Sequence, residues 1–327
     1  MTETMRAVVL DEPGPATNLH VRRVPLPRPA PGWVRIRVKA FGLNRSEVMT
    51  RVGHSGAAVI YPRILGIEAV GVVDLDLTGT FREGQQVATL MGDMGRAFDG
   101  GYAEFTCVPV AQVIPFSSDL DWSLIGAVPE MLQTAHGSLT VGLDARPGQT
   151  LLVRGGTSSV GMATAVLAKR LGLTVLSTTR SPAKAEALTA IGVDHVIVDD
   201  GDIAARVRAI VPGGVDAALE LVGTPTLHDT LRATRVHGTV CFTGMLSEQW
   251  TVTDFYPIDY LPAGVRLTAY TGGAADLLPE VLQTFLDEAA AGHVTIPLDR
   301  TFPLARTPEA HLYLESGQTR GKVVVLP

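Results

Sequence analysis

The segment TLLVRGGTSSVGMATAVLAKRLG, residues 150–172, limits the possible folds of this chain more than any other stretch. Its order of apolar strand, glycine-rich turn and helix follows the GxGxxG scheme of dinucleotide-binding loops. In that scheme Gly156 is the turn glycine, Ser158 stands at the second glycine position, and Gly161 allows the helix to pack closely on the strand. Backbone N–H groups at the helix start would then bind a pyrophosphate. The predicted loop comprises Gly155, Gly156, Thr157, Ser158, Ser159, Val160 and Gly161.

A glycine-rich turn also serves ordinary loops, so the prediction depends on the sequence around it. From Gly148 onward, apolar runs alternate with helical stretches, and candidate strands begin near residues 150, 173, 195, 215, 239 and 265. Six such strands with their helices predict an α/β domain with a doubly wound parallel sheet of the Rossmann type. The strand near residue 265 is expected to be the last, and its unpaired edge predicts a homodimer.

The rest of the chain predicts a second, β-rich domain. In WVRIRVKA, residues 33–40, apolar and basic residues alternate with the period of a half-exposed strand. After Tyr270 a helical stretch leads into a terminal strand, GKVVVLP. We therefore predict a catalytic domain over residues 1–123 and 271–327, interrupted by a nucleotide domain over residues 124–270. A functional cleft between the two domains is the default expectation for 327 residues.

Composition narrows the class of protein. Apolar residues make up 46% and charged residues 18% of the chain, which is typical of a globular protein. A formal charge of −6 gives no broad basic field, so nucleic acid is not an expected partner. With no long apolar run and no signal-peptide pattern at the start, we expect a cytoplasmic protein without a membrane partner. The two cysteines, Cys107 and Cys241, cannot build a four-cysteine zinc lobe.

The end of the second strand of the nucleotide domain indicates which nicotinamide cofactor binds. NAD enzymes usually carry an acidic residue there for the ribose hydroxyls, whereas this chain has Ser177-Thr178-Thr179-Arg180. Arg180 can bind the 2′-phosphate of NADPH through two hydrogen bonds, and Lys184 can add a second positive charge. The alternative is that both are solvated residues near a helix start. We predict NADPH as the cofactor, with Thr179, Arg180 and Lys184 at its phosphate.

With these motifs the chain resembles the zinc-independent quinone oxidoreductase branch of the medium-chain dehydrogenase/reductase superfamily. The matching stretches are FGLNRSEVMTRVG, YPRILGIEAVGVV, GGYAEFTCVP, TAHGSL, the glycine-rich turn and GQTRGKVVVLP. The resemblance implies a GroES-like fold for the β-rich domain and an oxidoreductase activity on a small-molecule substrate.

Zinc-dependent relatives carry a cysteine in the stretch matching Gly42-Leu43-Asn44 and a histidine in the stretch matching Gly66-Ile67-Glu68. Here those positions are Asn44 and Ile67. Because a catalytic zinc ion needs three protein ligands, we predict that no metal binds.

The resemblance also assigns roles to individual residues. Asn44 is expected at the nicotinamide and substrate end, where its amide could donate to a substrate oxygen; the alternative is an asparagine that only holds a turn. Several quinone reductases have a tyrosine where this chain has Met49, so Tyr61 is a second catalytic candidate, or equally a partly buried wall residue. Cofactor contacts are implied for Asn44, Thr134, Leu221, Val222, Thr243, Gly244 and Tyr270, with His195 beside the adenosine end.

Without a zinc ion, the chemistry open to such a site favours conjugated acceptors. The nicotinamide performs hydride transfer, and the protein orients donor and acceptor. A simple ketone develops alkoxide charge that zinc usually stabilises, whereas a quinone or an α,β-unsaturated carbonyl spreads that charge by conjugation. We predict reduction of a quinone or other conjugated carbonyl. Reduction of an activated C=C bond, or NADPH binding by a non-catalytic redox sensor, are the alternatives.

Overall fold

A computed structural model describes residues 3–327. The chain divides into two compact units. Unit 1 contains the residues up to Glu130 together with Gly273–Pro327, and unit 2 is Met131–Gly272. The nucleotide domain predicted from the sequence, residues 124–270, begins slightly before the start of unit 2 and ends two residues before the end of unit 2.

Unit 2 is built around one parallel sheet of six strands, β9 (Thr150–Arg154), β10 (Thr174–Thr179), β11 (His195–Val198), β12 (Val215–Glu220), β13 (Thr234–Phe242) and β14 (Arg266–Ala269). Their order in the sheet is β11-β10-β9-β12-β13-β14. This is the doubly wound arrangement predicted from the sequence, with the first strand of the unit central and the chain reversing beside it. Its helices are α4 (Ser159–Arg170), α5 (Ala185–Ala190), α6 (Ala204–Ile210), α7 (Thr224–Ala233) and α8 (Pro257–Tyr260), while α3 (Pro129–Gly137) leads into it.

Helices cover both faces of this sheet, which explains why its strands read as continuous apolar runs. In β9, Leu151 and Val153 face one apolar core and Leu152 faces the other. One strand boundary differs from the prediction: β13 begins at Thr234, directly after α7, rather than near residue 239. The polar residues that open β13, a register shift against β12 and the positive φ of His237 interrupt the apolar pattern there.

Unit 1 is β-rich. Its strands are β1 (Thr4–Leu10), β2 (Leu19–Pro25), β3 (Trp33–Leu43), β4 (Arg63–Ile64), β5 (Glu68–Asp76), β6 (Gln86–Leu90), β7 (Phe105–Pro109), β8 (Val113–Pro115), β15 (Leu298–Pro303) and β16 (Lys322–Leu326). Its helices are α1 (Arg45–Arg51), α2 (Trp122–Ile125), α9 (Pro279–Ala290) and α10 (Thr307–Glu315). The larger sheet runs β15-β16-β3-β5-β6-β8 with β7 also paired to β3, and β2-β1-β4 form a smaller one.

The alternation predicted for residues 33–40 is present in β3. Val34, Ile36 and Val38 are buried in the core of unit 1. Arg35 and Arg37, on the other face, both bind the carboxylate of Asp74 on the neighbouring strand. The strand therefore has one apolar and one polar face, as its period requires.

The longest helices, α4 and α9, have 12 residues each. Within residues 3–327, none of the helices has both the length and the apolar character that crossing a bilayer requires.

Candidate active site

The glycine-rich turn follows β9 directly, and its glycines stand where other residues would not fit. Gly155 has a φ of +86°, in the left-handed region that favours glycine. A Cβ on Gly156 would lie 1.8 Å from Ser177 Oγ, and a Cβ on Gly161 would lie 2.6 Å from the carbonyl oxygen of Gly155. The turn is held on β10 by hydrogen bonds from the N–H groups of Gly155 and Gly156 to Thr178.

Ser158, at the second glycine position, is the N-cap of α4. Its Oγ accepts a hydrogen bond from the N–H of Gly161 at 3.1 Å and donates to the carbonyl of Gly155 at 2.8 Å. The N–H groups of Ser159 and Val160, in the first turn of α4, have no intrahelical acceptor. They are therefore available to an anionic group, and the turn fits the pyrophosphate of a dinucleotide.

The end of β10 carries the predicted phosphate-binding residues. Thr179 is buried, and its Oγ1 bonds within the turn to Ser181, whereas Arg180 is exposed. Within residues 3–327, neither a hydrogen bond nor an ion pair engages the Arg180 guanidinium. Lys184 ends the short 3-10 helix Pro182–Lys184 that follows. His195 is not brought to this edge: it is the first residue of β11 and lies in register with Leu176, three residues before Thr179.

No pattern in the sequence indicated a carboxylate beside the end of β10, but the structure places one there. Asp199, directly after β11, accepts a hydrogen bond from Thr178 Oγ1 at 3.3 Å. Its carboxylate is held by the buried guanidinium of Arg154, the last residue of β9. Burial raises the pKa of Asp199, but the contacts with Arg154 outweigh it and hold this pKa below its usual value.

Glu220 organises the loops that follow β12 and β13. Its backbone oxygen accepts hydrogen bonds from the N–H groups of Thr243 and Gly244, and its carboxylate accepts one from Val222 N–H at 2.7 Å. Gly244 has no room for a side chain, because a Cβ would lie 2.7 Å from the carbonyl oxygen of Leu221. Four predicted cofactor residues, Leu221, Val222, Thr243 and Gly244, are thus gathered at the carboxyl edge of the sheet.

Thr134 and Tyr270 belong to unit 2 as well. Ser138 connects Thr134 to Thr243: its Oγ donates to the carbonyl of Thr134 at 2.7 Å and lies 3.0 Å from Thr243 Oγ1. Tyr270 is buried, and its hydroxyl accepts a hydrogen bond from Gln133 at 3.4 Å.

In unit 1, Asn44 lies in a buried polar cluster, the Lys322 cluster, formed by Asn44, Glu47, Glu68, Glu130 and Lys322. The Nζ of Lys322 donates to Asn44 Oδ1 at 2.5 Å and lies 2.7 Å from Glu68 and 3.2 Å from Glu130. Lys322 and Glu68 are fully buried. Burial lowers the pKa of Lys322, but Glu68 and Glu130 outweigh it and raise this pKa above its usual value.

Glu47 completes this cluster with neutral partners. It accepts hydrogen bonds from the backbone N–H groups of Asn44 and Ile67, both at 3.0 Å, and a weaker one from the Asn44 side chain at 3.3 Å. Burial raises the pKa of Glu47 to about 7, and the nearby charge of Glu68 adds to this effect. Glu47 therefore titrates near neutral pH.

These contacts occupy the Asn44 amide. Nδ2 donates to Glu68 at 3.0 Å and to Glu47, and Oδ1 accepts from Lys322. A hydrogen bond from Asn44 to a substrate oxygen would have to replace one of these bonds. Asn44 also serves as the N-cap of α1, which agrees with the simpler of its two predicted roles.

The second catalytic candidate, Tyr61, is half-buried against the core of unit 1. Its hydroxyl donates to the carbonyl of Thr50 at 3.2 Å. Met49 is buried in the same part of the unit.

The residues at the two ligand positions do not fit a zinc ion. Asn44 offers only amide atoms that already have partners, and Ile67 is a buried apolar side chain. Among residues 3–327, His, Cys, Asp and Glu side chains form no group of three or more that could hold a metal ion.

Comparisons of sequence match the chain to two families of dehydrogenase domains. The alcohol dehydrogenase GroES-like domain family matches residues 30–118, and the zinc-binding dehydrogenase family matches residues 191–325. The chain is 29% identical to a 2-haloacrylate reductase from Burkholderia sp over 98% of both chains. It is 28% identical to a probable quinone oxidoreductase from Schizosaccharomyces pombe, covering 98% of this chain and 96% of that protein.

Solved structures have the same fold over the whole chain. AibC is 30% identical with a TM-score of 0.88, covering 100% of this chain and 97% of that one. A mycobacterial protein, Rv1454c, solved in complex with NADPH, is 27% identical with a TM-score of 0.86, covering 99% and 100% of the two chains. The fold and the site define a nicotinamide-dependent oxidoreductase. The chain belongs to the medium-chain dehydrogenase/reductase superfamily, in its quinone oxidoreductase-like branch.

Proposed function

We propose that this protein is an NADPH-dependent reductase that transfers a hydride to a quinone or another conjugated carbonyl without zinc. The observation that carries the proposal is the Lys322 cluster. At the position of a zinc ligand in related enzymes, it holds an asparagine amide between an ammonium and two carboxyl groups. The site offers no Lewis acid for a developing alkoxide, and this favours acceptors that spread the charge themselves.

The end of β10 supports the choice of NADPH. Arg180 is exposed and unpaired within residues 3–327, and the carboxylate of Asp199, beside the end of β10, is paired with Arg154. A guanidinium without a partner suits a phosphate, which it can bind by two charge-assisted hydrogen bonds. The complex of Rv1454c with NADPH is a second support for this cofactor.

When bound, the cofactor supplies the hydride. The chain's own residues bind and orient: the first turn of α4 binds the pyrophosphate, and the loops after β12 and β13 line the carboxyl edge. Negative charge that develops on an acceptor oxygen beside Asn44 would be stabilised by an amide N–H that exchanges its bond to Glu47 or Glu68 for the substrate, with the ammonium of Lys322 behind it.

Reduction of an activated C=C bond is a second candidate. The Burkholderia relative is named for 2-haloacrylate, in which a C=C bond is conjugated with a carboxylate. Such an acceptor shares with a quinone the conjugation that spreads charge, so one site suits both chemistries.

An acceptor panel tests the proposal. NADPH oxidation is followed with quinones, enones, 2-haloacrylates, and unconjugated ketones and aldehydes, in parallel with and without a chelator. We expect conjugated acceptors to be turned over at a rate that the chelator does not change. We also expect the purified protein to hold no stoichiometric zinc. Turnover of unconjugated carbonyls alone, or loss of activity together with bound zinc, contradicts it. Tight NADPH binding with no acceptor turned over would indicate a sensor instead.

We further propose that the protein is a cytoplasmic homodimer joined through β14. This strand ends the sheet of unit 2 and is paired on one side by β13. An exposed strand edge is a template for pairing with another strand. A sedimentation coefficient typical of a monomer at micromolar concentration would refute the dimer.

A further inference from the structure

Directly beneath the glycine-rich turn, unit 2 buries a second polar cluster, the Arg154 cluster, formed by Arg154, Asp199, Glu220, Asp229 and Thr230. Arg154 is fully buried, and its guanidinium forms a two-pronged contact with Asp199, with Nε at 2.9 Å and Nη2 at 3.0 Å from the carboxylate oxygens. Nη1 lies 2.7 Å from Asp229 and 3.1 Å from Thr230 Oγ1. Nη2 also donates to the carbonyl of Gly201 at 3.1 Å, so every N–H of the guanidinium has an acceptor.

The cluster contains more negative than positive groups. One guanidinium faces Asp199 and Asp229, and Glu220 lies in register with Arg154 on the adjacent strand. Glu220 is held by neutral donors, among them the Thr230 hydroxyl at 2.5 Å. Burial raises the pKa of Glu220, while Arg154 acts in the opposite direction. Among residues 3–327, Arg154 is the cation that contacts these carboxylates, and its loss would leave them without one.

The negative charge of Asp199 lies close to the glycine-rich turn, where an anionic cofactor would bind. Asp199 accepts a hydrogen bond from Thr178 Oγ1, which in turn accepts the N–H of Gly155 in the glycine-rich turn. The backbone N–H of Asp199 donates to the carbonyl of Thr179, the residue before Arg180. Asp199 thus occupies the neighbourhood in which a free carboxylate would repel a 2′-phosphate.

We propose that Arg154 is a specificity-determining positioning residue: by neutralising Asp199 beneath the glycine-rich turn, it allows the site to accept the 2′-phosphate of NADPH. This deepens the proposed function and rests on it for the identity of the cofactor. Arg154 does not touch the cofactor in this account. It acts through the charge and the orientation of Asp199.

The test measures the dissociation constants of NADPH and NADH by fluorescence titration of the full chain, and compares their ratio between variants. In Arg154→Gln the preference for NADPH should fall about ten-fold, because the extra phosphate then meets an uncompensated carboxylate. Arg154→Lys keeps the charge and should retain the preference within about two-fold. In Arg154→Gln/Asp199→Asn, removal of the carboxylate should restore most of it.

Arg235→Gln is the matched control. Arg235 pairs with Asp216 at 2.6 Å, and that carboxylate binds the N–H of Thr150 at the opposite end of β9. Its loss should leave the cofactor ratio unchanged. Circular dichroism and thermal unfolding establish that each variant is folded.

Asp199→Asn in the presence of Arg154 gives a measurement that does not depend on the folding of an arginine variant. It should shift the ratio about ten-fold towards NADPH, because the same single charge is removed. Equal weakening of both cofactors in Arg154→Gln, no rescue in the double variant, a loss of preference in Arg154→Lys, or no shift in Asp199→Asn would each overturn the proposal. A wild-type protein that prefers NADH would refute the proposed cofactor, while the direction of these shifts would still test Arg154.

Discussion

In each unit of this protein a buried cation lies among three carboxyl groups, but the two cations, Lys322 and Arg154, differ. In unit 1 the ammonium of Lys322 contacts Asn44, Glu68 and Glu130. In unit 2 the guanidinium of Arg154 binds Asp199 with two parallel hydrogen bonds and reaches Asp229 as well.

The two clusters also differ in the pKa of one carboxyl group each, that of Glu47 and that of Asp199. An ammonium has three N–H groups, and Lys322 directs them to three partners, so Glu47 keeps only neutral donors and its pKa rises to about 7 by burial. A guanidinium has five donors in a planar fork, and the pKa of Asp199 is held below its usual value. The first cluster can take up a proton near neutral pH, whereas Asp199 in the second stays charged.

The largest expected effect is on stability, from Lys322→Met. Removing the cation leaves the fully buried carboxyl group of Glu68 without the ammonium that contacts it, so we expect unfolding in urea to show a loss of about 3–5 kcal/mol. Lys169→Met is the control, because Lys169 pairs with Asp194 at the surface with a third of its side chain exposed. That change should cost at most about 1 kcal/mol. Equal losses in the two variants would mean that burial of the Lys322 cluster does not increase the effect of losing its cation on the free energy of unfolding.

The second prediction concerns the amide that Lys322 holds. If Asn44 and the ammonium behind it stabilise charge on the acceptor, Asn44→Ala lowers kcat by up to two to three powers of ten, roughly 2.7–4 kcal/mol, and leaves the Kd of NADPH nearly unchanged. Steady-state kinetics and cofactor titration measure the two quantities. Asn18→Ala, at a half-buried asparagine whose amide contacts the carbonyl of Glu12, is the control and should change neither. An unchanged kcat in Asn44→Ala would leave Asn44 as a helix cap alone.

A third prediction uses the opposite pKa shifts of Glu47 in the Lys322 cluster and Asp199 in the Arg154 cluster. The folded-state pKa of Glu47 lies above its unfolded value, so its contribution to stability is fully present below about pH 4.5 and is lost as the pH rises through about 7. The folded-state pKa of Asp199 lies below its unfolded value, so its contribution is present at neutral pH and is lost on acidification.

The free energy of unfolding, measured between pH 4.5 and 7.5, tests this difference. Glu47→Gln should remove a decline of at most about 3 kcal/mol over that range, whereas Asp199→Asn should leave the decline in place. A wild-type slope that is the same in Glu47→Gln would show that Glu47 is ionised throughout.

The smallest effect is expected for Arg180, the exposed arginine at the same sheet edge as the buried Arg154. Arg180→Ala should weaken NADPH roughly ten-fold or more and leave NADH little changed, since one charge-assisted contact contributes about 1.5–3 kcal/mol. Arg146→Ala removes an exposed arginine that pairs with Asp144 before β9, and serves as the control. Equal weakening of both cofactors by Arg180→Ala would show that this residue does not bind the 2′-phosphate.

Local patterns in the sequence were sufficient for the fold. The strand–turn–helix of residues 150–172 and the spacing of six apolar runs predicted the doubly wound parallel sheet, because strand and helix periods are set within a few residues. The same local chemistry explains why Gly156 and Gly161 were recognised, since each stands where a Cβ would clash. Resemblance to a family then located Asn44 and Ile67 at positions where zinc ligands were missing.

The partners of these residues could be found only in the tertiary structure. Lys322 and Asn44 are 278 residues apart, and Arg154 and Asp199 are 45 residues apart. A single lysine before VVVL, or an arginine between an apolar strand and two glycines, indicates in the sequence only that a charge is present. Whether that charge is buried, and which carboxylates neutralise it, depends on strands that meet through the sheet. The sequence by itself therefore determined the architecture and the cofactor loop, because those follow from local periodicity. Which carboxylates neutralise Lys322 and Arg154 was decided only by the tertiary structure, because the interaction between two charges depends on their distance in space.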